Sequence, residues 1–436
     1  MLKLIKLFKQ SKRLKNLCLN QQGYLLLILI ILYLVVRIYH LPQVVNFSMD
    51  QGSTLLKIYE LWQTKKLTLI GPESSLKTIN GLSFFHGPWI YYFLLPFMLV
   101  GNWNPLFGSY AFIILNLLAL IIFFISINNH FGKKIAFISA LFFVFDFNSI
   151  RFSQFLWNPN FLLFTSSLLI YFWLEVIRKP RALYFLLTGL IFGFSLGSHY
   201  QTTLILFIFF GFMLYKKLSF KYYLSVISGL CLGLSPLLLF ELKHNFYNLR
   251  VIYSILTTGA QEKINWPFPF YYFLSLLPFL FLFLSLIINK IFVKKQYLAI
   301  LLIIYISSSL NKVLPLAKNG FTMPKGWNYL GIKKSAKIIL KENKNNYNIA
   351  NILSGDTRDY SLRYLLTISN NNPPLVVEAY LWSDFLFVVS RDNPETTLSN
   401  PVWEINSFCP CEVTKKWEIQ NNINLYLLEK VLVLPE

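Results

Sequence analysis

The stretch "YLLLILIILYLVVRIYHLPQVVNFSMDQGSTLLKIYELW", residues 24–62, passes from an unbroken apolar segment into a polar one that opens on a single carboxylate, Asp50. Residues 24–41 approach the about 20 residues that a helix needs to cross a bilayer. Beyond them Leu55, Ile58, Tyr59 and Trp62 recur at helical spacing, a pattern that lays one apolar face on a membrane surface. The preceding segment, 1–22, is basic and amphipathic. No small-residue cleavage site follows the apolar run, so it reads as an anchor with a cytoplasmic basic tail rather than as a signal peptide.

Composition agrees with a membrane chain. Of the 436 residues 55% are hydrophobic, 18% aromatic and only 14% charged, too little charge to coat a soluble globule of this size. The net charge of +21 does not point to nucleic acid, because the lysines and arginines fall in short clusters between apolar runs. Cys18, Cys231, Cys409 and Cys411 are too scattered for a disulfide framework and lack zinc spacing. The "CPC" at 409–411 reads as incidental.

After the anchor, apolar runs recur near 84–101, 109–127, 135–150, 160–177, 182–198, 203–215, 222–240, 268–289 and 296–310. Clusters at 131–134, 178–181, 216–221 and 289–295 are expected on the cytoplasmic side with the N-terminus. Three runs separate the tail from 131–134, an odd number for two segments on one side, so one run does not cross. The run 84–101, broken by Pro88 and Pro96 and rich in Trp and Tyr, fits an interfacial or re-entrant helix. The expected architecture is a polytopic α-helical membrane protein of about nine spans plus interfacial helices over 23–310. Its outer loops are 42–108, 150–160 and 241–267. Residues 311–436 are expected to form a small extracytoplasmic α/β domain, with strands at "LVVEAYLW" and "DFLFVVS" and a helix at "IKKSAKIILKEN".

The order of an anchor, an outer loop with an early acid, a surface helix, a "HGPWIYY" element, a basic turn and a "WNPN" turn resembles the GT-C glycosyltransferases over residues 20–290. The closest subgroup is that of the protein mannosyltransferases, aminoarabinose transferases and rhizobial lipopolysaccharide transferases. The resemblance implies that Asp50 is the catalytic base, although the usual Asp-Glu pair here reads Asp50-Gln51. It matches the proline and tyrosine element to Pro88, Tyr91 and Tyr92, with His86 beside them. Where a second outer acid is common in the family, this chain has Asn158 and Asn160.

Such a site moves a sugar from a polyprenyl-phosphate donor to a lipid, envelope glycan or protein acceptor at the plasma (inner) membrane. It must take a proton from the acceptor hydroxyl and stabilise charge on the departing phosphate. Asp50 suits the first task. Arg151, His199, Lys243, His244 and Arg250 are the cations expected for the second. Gln51, Trp157, Gln201 and Glu241 are expected to shape the site with His86, the two tyrosines and the two asparagines. Each has a structural alternative: Asp50 also fits a helix N-cap, Arg151 and Arg250 an interface mark, and Lys243 a snorkelling cation. Glu241 and His244, at i, i+3, suit mutual pairing better than a divalent cation. Asp146 fits a helix cap as well as a functional acid, and Glu73 a solvated loop acid. The rival class is a transporter or flippase, which predicts charges in mid-span and two related halves.

Overall fold

The computed structural model describes residues 21–261, 270–291, 295–314, 319–353, 356–369 and 372–431. The expected basic tail, save its last two residues, lies outside the described residues, as do the end of the 241–267 loop and the middle of the 289–295 cluster. From the N-terminus, α1 (Gln21–Ile38) and the short α2 (Leu41–Val44) lead to the surface helix α3 (Met49–Thr64). A hairpin of β1 (Glu73–Lys77) and β2 (Ser83–Phe85) precedes α4 (Trp89–Val100). The bundle continues with α5 (Leu106–Phe131), α6 (Lys133–Phe145), α7 (Phe147–Phe152), α8 (Phe161–Arg178), α9 (Ala182–Ser198) and α10 (Thr203–Tyr215). It closes with α11 (Phe220–Gly233), α12 (Ser235–Lys243), α13 (Tyr247–Thr258), α14 (Leu277–Ile291) and α15 (Lys295–Val313).

This is a multi-pass membrane protein. Among the described residues, 106–131, 158–178, 270–291 and 296–313 are long and apolar enough to cross a membrane, and α11 with α12 makes a fifth if the bent pair counts as one span. Several runs expected to be continuous are broken, for identifiable reasons. The run 135–150 stops at Asp146, whose Oδ1 accepts the Ser149 N–H at 2.8 Å and so begins α7. The run 222–240 bends by 71° between Gly233 and Ser235, where Pro236 supplies no N–H to the ladder. Helix α4 has 12 residues, or about 18 Å at 1.5 Å per residue, short of a hydrocarbon thickness of about 30 Å.

An arginine inside the first apolar run explains how the broken helices are held. Arg37 is fully buried. Its guanidinium donates to the Val144 and Phe143 carbonyls at 2.9 and 3.1 Å and to Ser153 Oγ and Ser149 Oγ at 2.8 and 3.2 Å. Carbonyls freed where α6 ends would be costly in an apolar surround, and this one side chain satisfies two of them. Elsewhere small residues let helices touch: a Cβ on Gly189 would overlap the Val226 carbonyl of α11.

The C-terminal domain comprises α16 (Tyr329–Glu342), β3 (Tyr347–Asn351), α17 (Tyr360–Ser369), β4 (Phe385–Ser390), α18 (Pro394–Leu398), α19 (Trp403–Phe408), β5 (Cys411–Gln420) and β6 (Ile423–Lys430). Its sheet has the order β3-β4-β6-β5, with β3 parallel to β4 and the other pairs antiparallel. The expected strand at "DFLFVVS" is β4 and the expected helix lies in α16. The segment "LVVEAYLW" is not a strand. Pro373 and Pro374 precede it without N–H donors, and side chains take its carbonyls: Arg363 that of Leu375, and Asn348 that of Val376 at 3.2 Å. Cys409 and Cys411, expected to be incidental, are joined in a disulfide.

This domain packs on α3 and its flanks. The Tyr364 hydroxyl donates to the Trp103 carbonyl at 2.6 Å, Asn46 donates to Thr322 at 2.7 Å, and Phe47 stands edge-on to Tyr329 and Tyr364. At Gly52 the two bodies meet backbone to backbone: a Cβ there would lie 2.5 Å from Ser361 N and Tyr360 O.

Candidate active site

Asp50 sits in the first turn of α3 without capping it. Ser48 is the N-cap, and the Gln51 Oε1 accepts the Ser48 N–H at 3.2 Å, which corrects the N-cap reading of Asp50. Gln51 is thereby buried and engaged at the helix end. The Asp50 carboxylate instead faces a cavity of about 810 Å³. Its Oδ2 accepts the indole N–H of Trp157 at 3.0 Å. Burial raises the Asp50 pKa above the usual carboxylate range, and the Trp157 hydrogen bond opposes that rise. The group is therefore open to the cavity yet poorly solvated.

An aromatic wall runs away from this acid. Trp157 meets Tyr271 edge-on at 4.8 Å, Tyr271 lies 6.0 Å from His199, and His199 stacks on His86 at 5.4 Å. The main chain sets this order. Gly71 N–H donates to the His86 carbonyl at 2.7 Å and Gly87 N–H to the Gly197 carbonyl at 2.6 Å, which places the β1–β2 hairpin against the end of α9. Burial lowers the His86 pKa to about 4, while burial and then His86 lower that of His199 to about 3. Both imidazoles are thus neutral near pH 7 and supply hydrogen-bonding atoms rather than charge.

Of the residues singled out in the sequence, Asp50, Glu73, His86, Tyr91, Trp157, Asn158 and His199 line this cavity together, Glu73 as an exposed acid of the hairpin. Others support it. The Tyr92 hydroxyl bonds the Thr68 main chain at 2.7 and 2.9 Å, and Asn160 donates to the Phe155 carbonyl at 2.7 Å. Glu241 and His244 do not pair with each other, contrary to expectation. Glu241 caps α13 by accepting the Asn248 and Leu249 N–H groups at 3.1 and 3.3 Å, and Asn248 Oδ1 accepts the Phe85 N–H at 2.9 Å. Glu241 thereby acts on the hairpin that carries His86. Gln201 is half-buried and does not line the cavity, and among the described residues its side-chain amide has no hydrogen-bond partner.

Of the side chains expected to meet a phosphate as cations, His199 lines the cavity and the others lie elsewhere. Arg151 is buried and donates to Gln154 at 3.1 Å and to the Val313 carbonyl at 2.7 Å, so it joins α7 to the end of α15. Lys243, His244 and Arg250 do not line the cavity; His244 bonds the Phe240 carbonyl at 2.9 Å, and Arg250 donates to the His244 carbonyl at 3.4 Å. Cavity cations that sequence reading missed are Lys57, Lys77 and Arg358. Lys57 is salt-bridged to Glu60 at 2.9 Å. Arg358 and Tyr360 come from the C-terminal domain, where the polar "DTRDY" at 356–360 was the available signal. Among the described residues no group of three or more metal-ligating side chains occurs.

A helical membrane bundle, a surface helix that delivers one carboxylate to a cavity, and an α/β domain over that helix together define a GT-C-type fold. The chain has the fold of the GT-C membrane glycosyltransferases. Residues 85–240 match the family model for dolichyl-phosphate-mannose-protein mannosyltransferase. Among solved structures the chain is similar to ArnT from Cupriavidus metallidurans bound to undecaprenyl phosphate, with a TM-score of 0.58 and 10% identity, covering 96% of this chain and 100% of that one. The apo state of the same protein gives 0.60 and 11%, covering 93% and 98%. At these identities the likeness is one of fold. No curated protein sequence matches the chain. Asp50 and Arg358 both lie outside the matched segment, so what is said of them rests on geometry.

Proposed function

We propose that this protein transfers a sugar from a polyprenyl-phosphate donor to a hydroxyl acceptor at the outer membrane face, with Asp50 as general base. The observation that carries the reading is the position of Asp50: an accessible carboxylate, oriented by the Trp157 indole, at one end of an aromatic-walled cavity in a GT-C fold. ArnT, which shares that fold, was solved with undecaprenyl phosphate bound, and the matched family model is one of lipid-phosphate-sugar users. In the reaction the acceptor oxygen bonds to the anomeric carbon while the bond from that carbon to the phosphate oxygen breaks. The acceptor proton passes to Asp50 and the electron pair leaves with the polyprenyl phosphate, inverting the anomeric centre. The aromatic wall of Trp157 and Tyr271 suits the apolar faces of a sugar ring.

The test is Asp50→Asn, assayed with a panel of lipid-linked sugars and envelope acceptors. Loss of a general base lowers transfer about 10²- to 10⁴-fold. Because Asp50's folded-state pKa is raised, stability falls as pH rises from the ordinary carboxylate pKa to the folded one and stays lower above it, so the neutral amide is expected to leave the unfolding midpoint at pH 7 unchanged or higher. Normal transfer by the variant would remove Asp50 from the chemistry, and turnover of a soluble nucleotide sugar alone would remove the lipid donor.

A further inference from the structure

The departing phosphate needs a cationic partner, and of the side chains expected to serve only His199 lines the cavity. Arg151 is engaged with main-chain and amide oxygens, while Lys243, His244 and Arg250 do not line it. His86 and His199 line it as neutral rings. Lys57 is committed to Glu60. Among the described residues this leaves Lys77, on the exposed hairpin, and Arg358.

Arg358 is mounted differently from a surface arginine. The residues on either side of it are tied down. Thr357 donates to the buried Glu404 at 2.7 Å and its carbonyl accepts the Asn351 N–H at 2.8 Å. Asp359 is buried and accepts from Ser361 Oγ at 2.6 Å, Leu362 N at 3.0 Å and Asn351 Nδ2 at 2.9 Å. Between these anchors the Arg358 side chain is exposed at the cavity, with the Tyr360 side chain as a hydrogen-bond partner and Glu404 within electrostatic reach. The loop lies within electrostatic reach of the acid on α3: Asp356, two residues from Arg358, is raised to about 7 by burial first, then by Asp359, with Asp50 a further contributor. The close approach at Gly52 fixes the same loop against the helix that bears Asp50.

We infer that Arg358 of the C-terminal domain binds a phosphate group in the transfer cavity, so that the site is complete only when this domain sits on α3. This rests on the proposed lipid-phosphate reading. A planar guanidinium on a fixed loop offers two parallel N–H donors to phosphate oxygens, which a flexible lysine does not. The phosphate is that of the polyprenyl donor or one carried by the acceptor, and the same chemistry recognises both.

The experiment uses the full-length protein in detergent with Arg358→Gln, Arg358→Lys and, as control, Arg391→Gln at an exposed arginine that does not line the cavity. Binding of undecaprenyl phosphate is measured by native mass spectrometry, and transfer is measured with phosphorylated and dephosphorylated forms of one acceptor. Loss of a charge-assisted contact is expected to weaken undecaprenyl phosphate binding about tenfold or more in Arg358→Gln, with partial recovery in Arg358→Lys and none of this in the control. Unchanged lipid binding with a higher KM for the phosphorylated acceptor alone assigns the contact to the acceptor. If neither changes in a variant that unfolds at the wild-type temperature, the inference is overturned while the transferase reading stands. Wild-type protein that binds no polyprenyl phosphate overturns both.

Discussion

Gly52→Ala tests how closely the C-terminal domain must seat on the helix that bears Asp50. A Cβ at this position would sit 2.4 Å from Tyr360 C and 2.5 Å from Ser361 N and Tyr360 O, where ordinary contacts begin at 3.4 Å, so the two bodies must separate by about 1.0 Å. All three offending atoms are backbone and cannot rotate away. Overpacking of this kind costs about 1–3 kcal/mol, offset by the about 0.5–1 kcal/mol that alanine gains over glycine in a helix. A net destabilisation of about 1–2 kcal/mol is expected. The functional effect should be larger, because Asp50 is on one side of the gap and Arg358 and Tyr360 on the other, and a displacement near 1 Å can lower a rate about 10²-fold. The assay pairs thermal unfolding with transfer from a lipid-linked sugar. Gly211→Ala is the control: it lies in α10 with open space around it, so it should unfold no earlier and transfer normally. Wild-type rate and stability in Gly52→Ala would refute the domain's part in the site.

The rate is expected to fall with acid through a pKa above the ordinary carboxylate value of about 4, since the base works only when deprotonated and burial holds Asp50 up. Trp157→Phe removes the hydrogen bond that opposes this, so the acid limb should move to higher pH; a limb that moves down contradicts the assignment. No limb is expected between pH 6 and 8 from His86 or His199, and one there that vanishes in His86→Gln would show that the pair titrates. Lys243→Ala, at an exposed position off the cavity, should transfer within about twofold of wild type. A tenfold loss would return Lys243 to the phosphate.

Hydropathy, cluster placement and the order of polar loops were enough to mark a multi-pass membrane protein of GT-C type with a small α/β domain after it, because apolar runs and periodicity are local properties of a chain. They also marked Asp50, Trp157, His86 and His199, each for its residue type and loop. Nothing local says that the Trp157 indole reaches Asp50, 107 positions away, or that His86 stacks on His199. Those contacts depend on how hairpin and helix ends meet, through bonds such as Gly87 to Gly197. The cations were misjudged for the same reason. Whether an arginine serves a ligand or the fold depends on which carbonyls the tertiary structure leaves unsatisfied: Arg37 and Arg151 are claimed by the ends of α6 and α15, and Glu241 by the start of α13. Arg358, in a domain remote in sequence, reaches the cavity from a loop whose structural bonds are carried by Thr357 and Asp359. Only the packing of α17 on Gly52 brings it to Asp50.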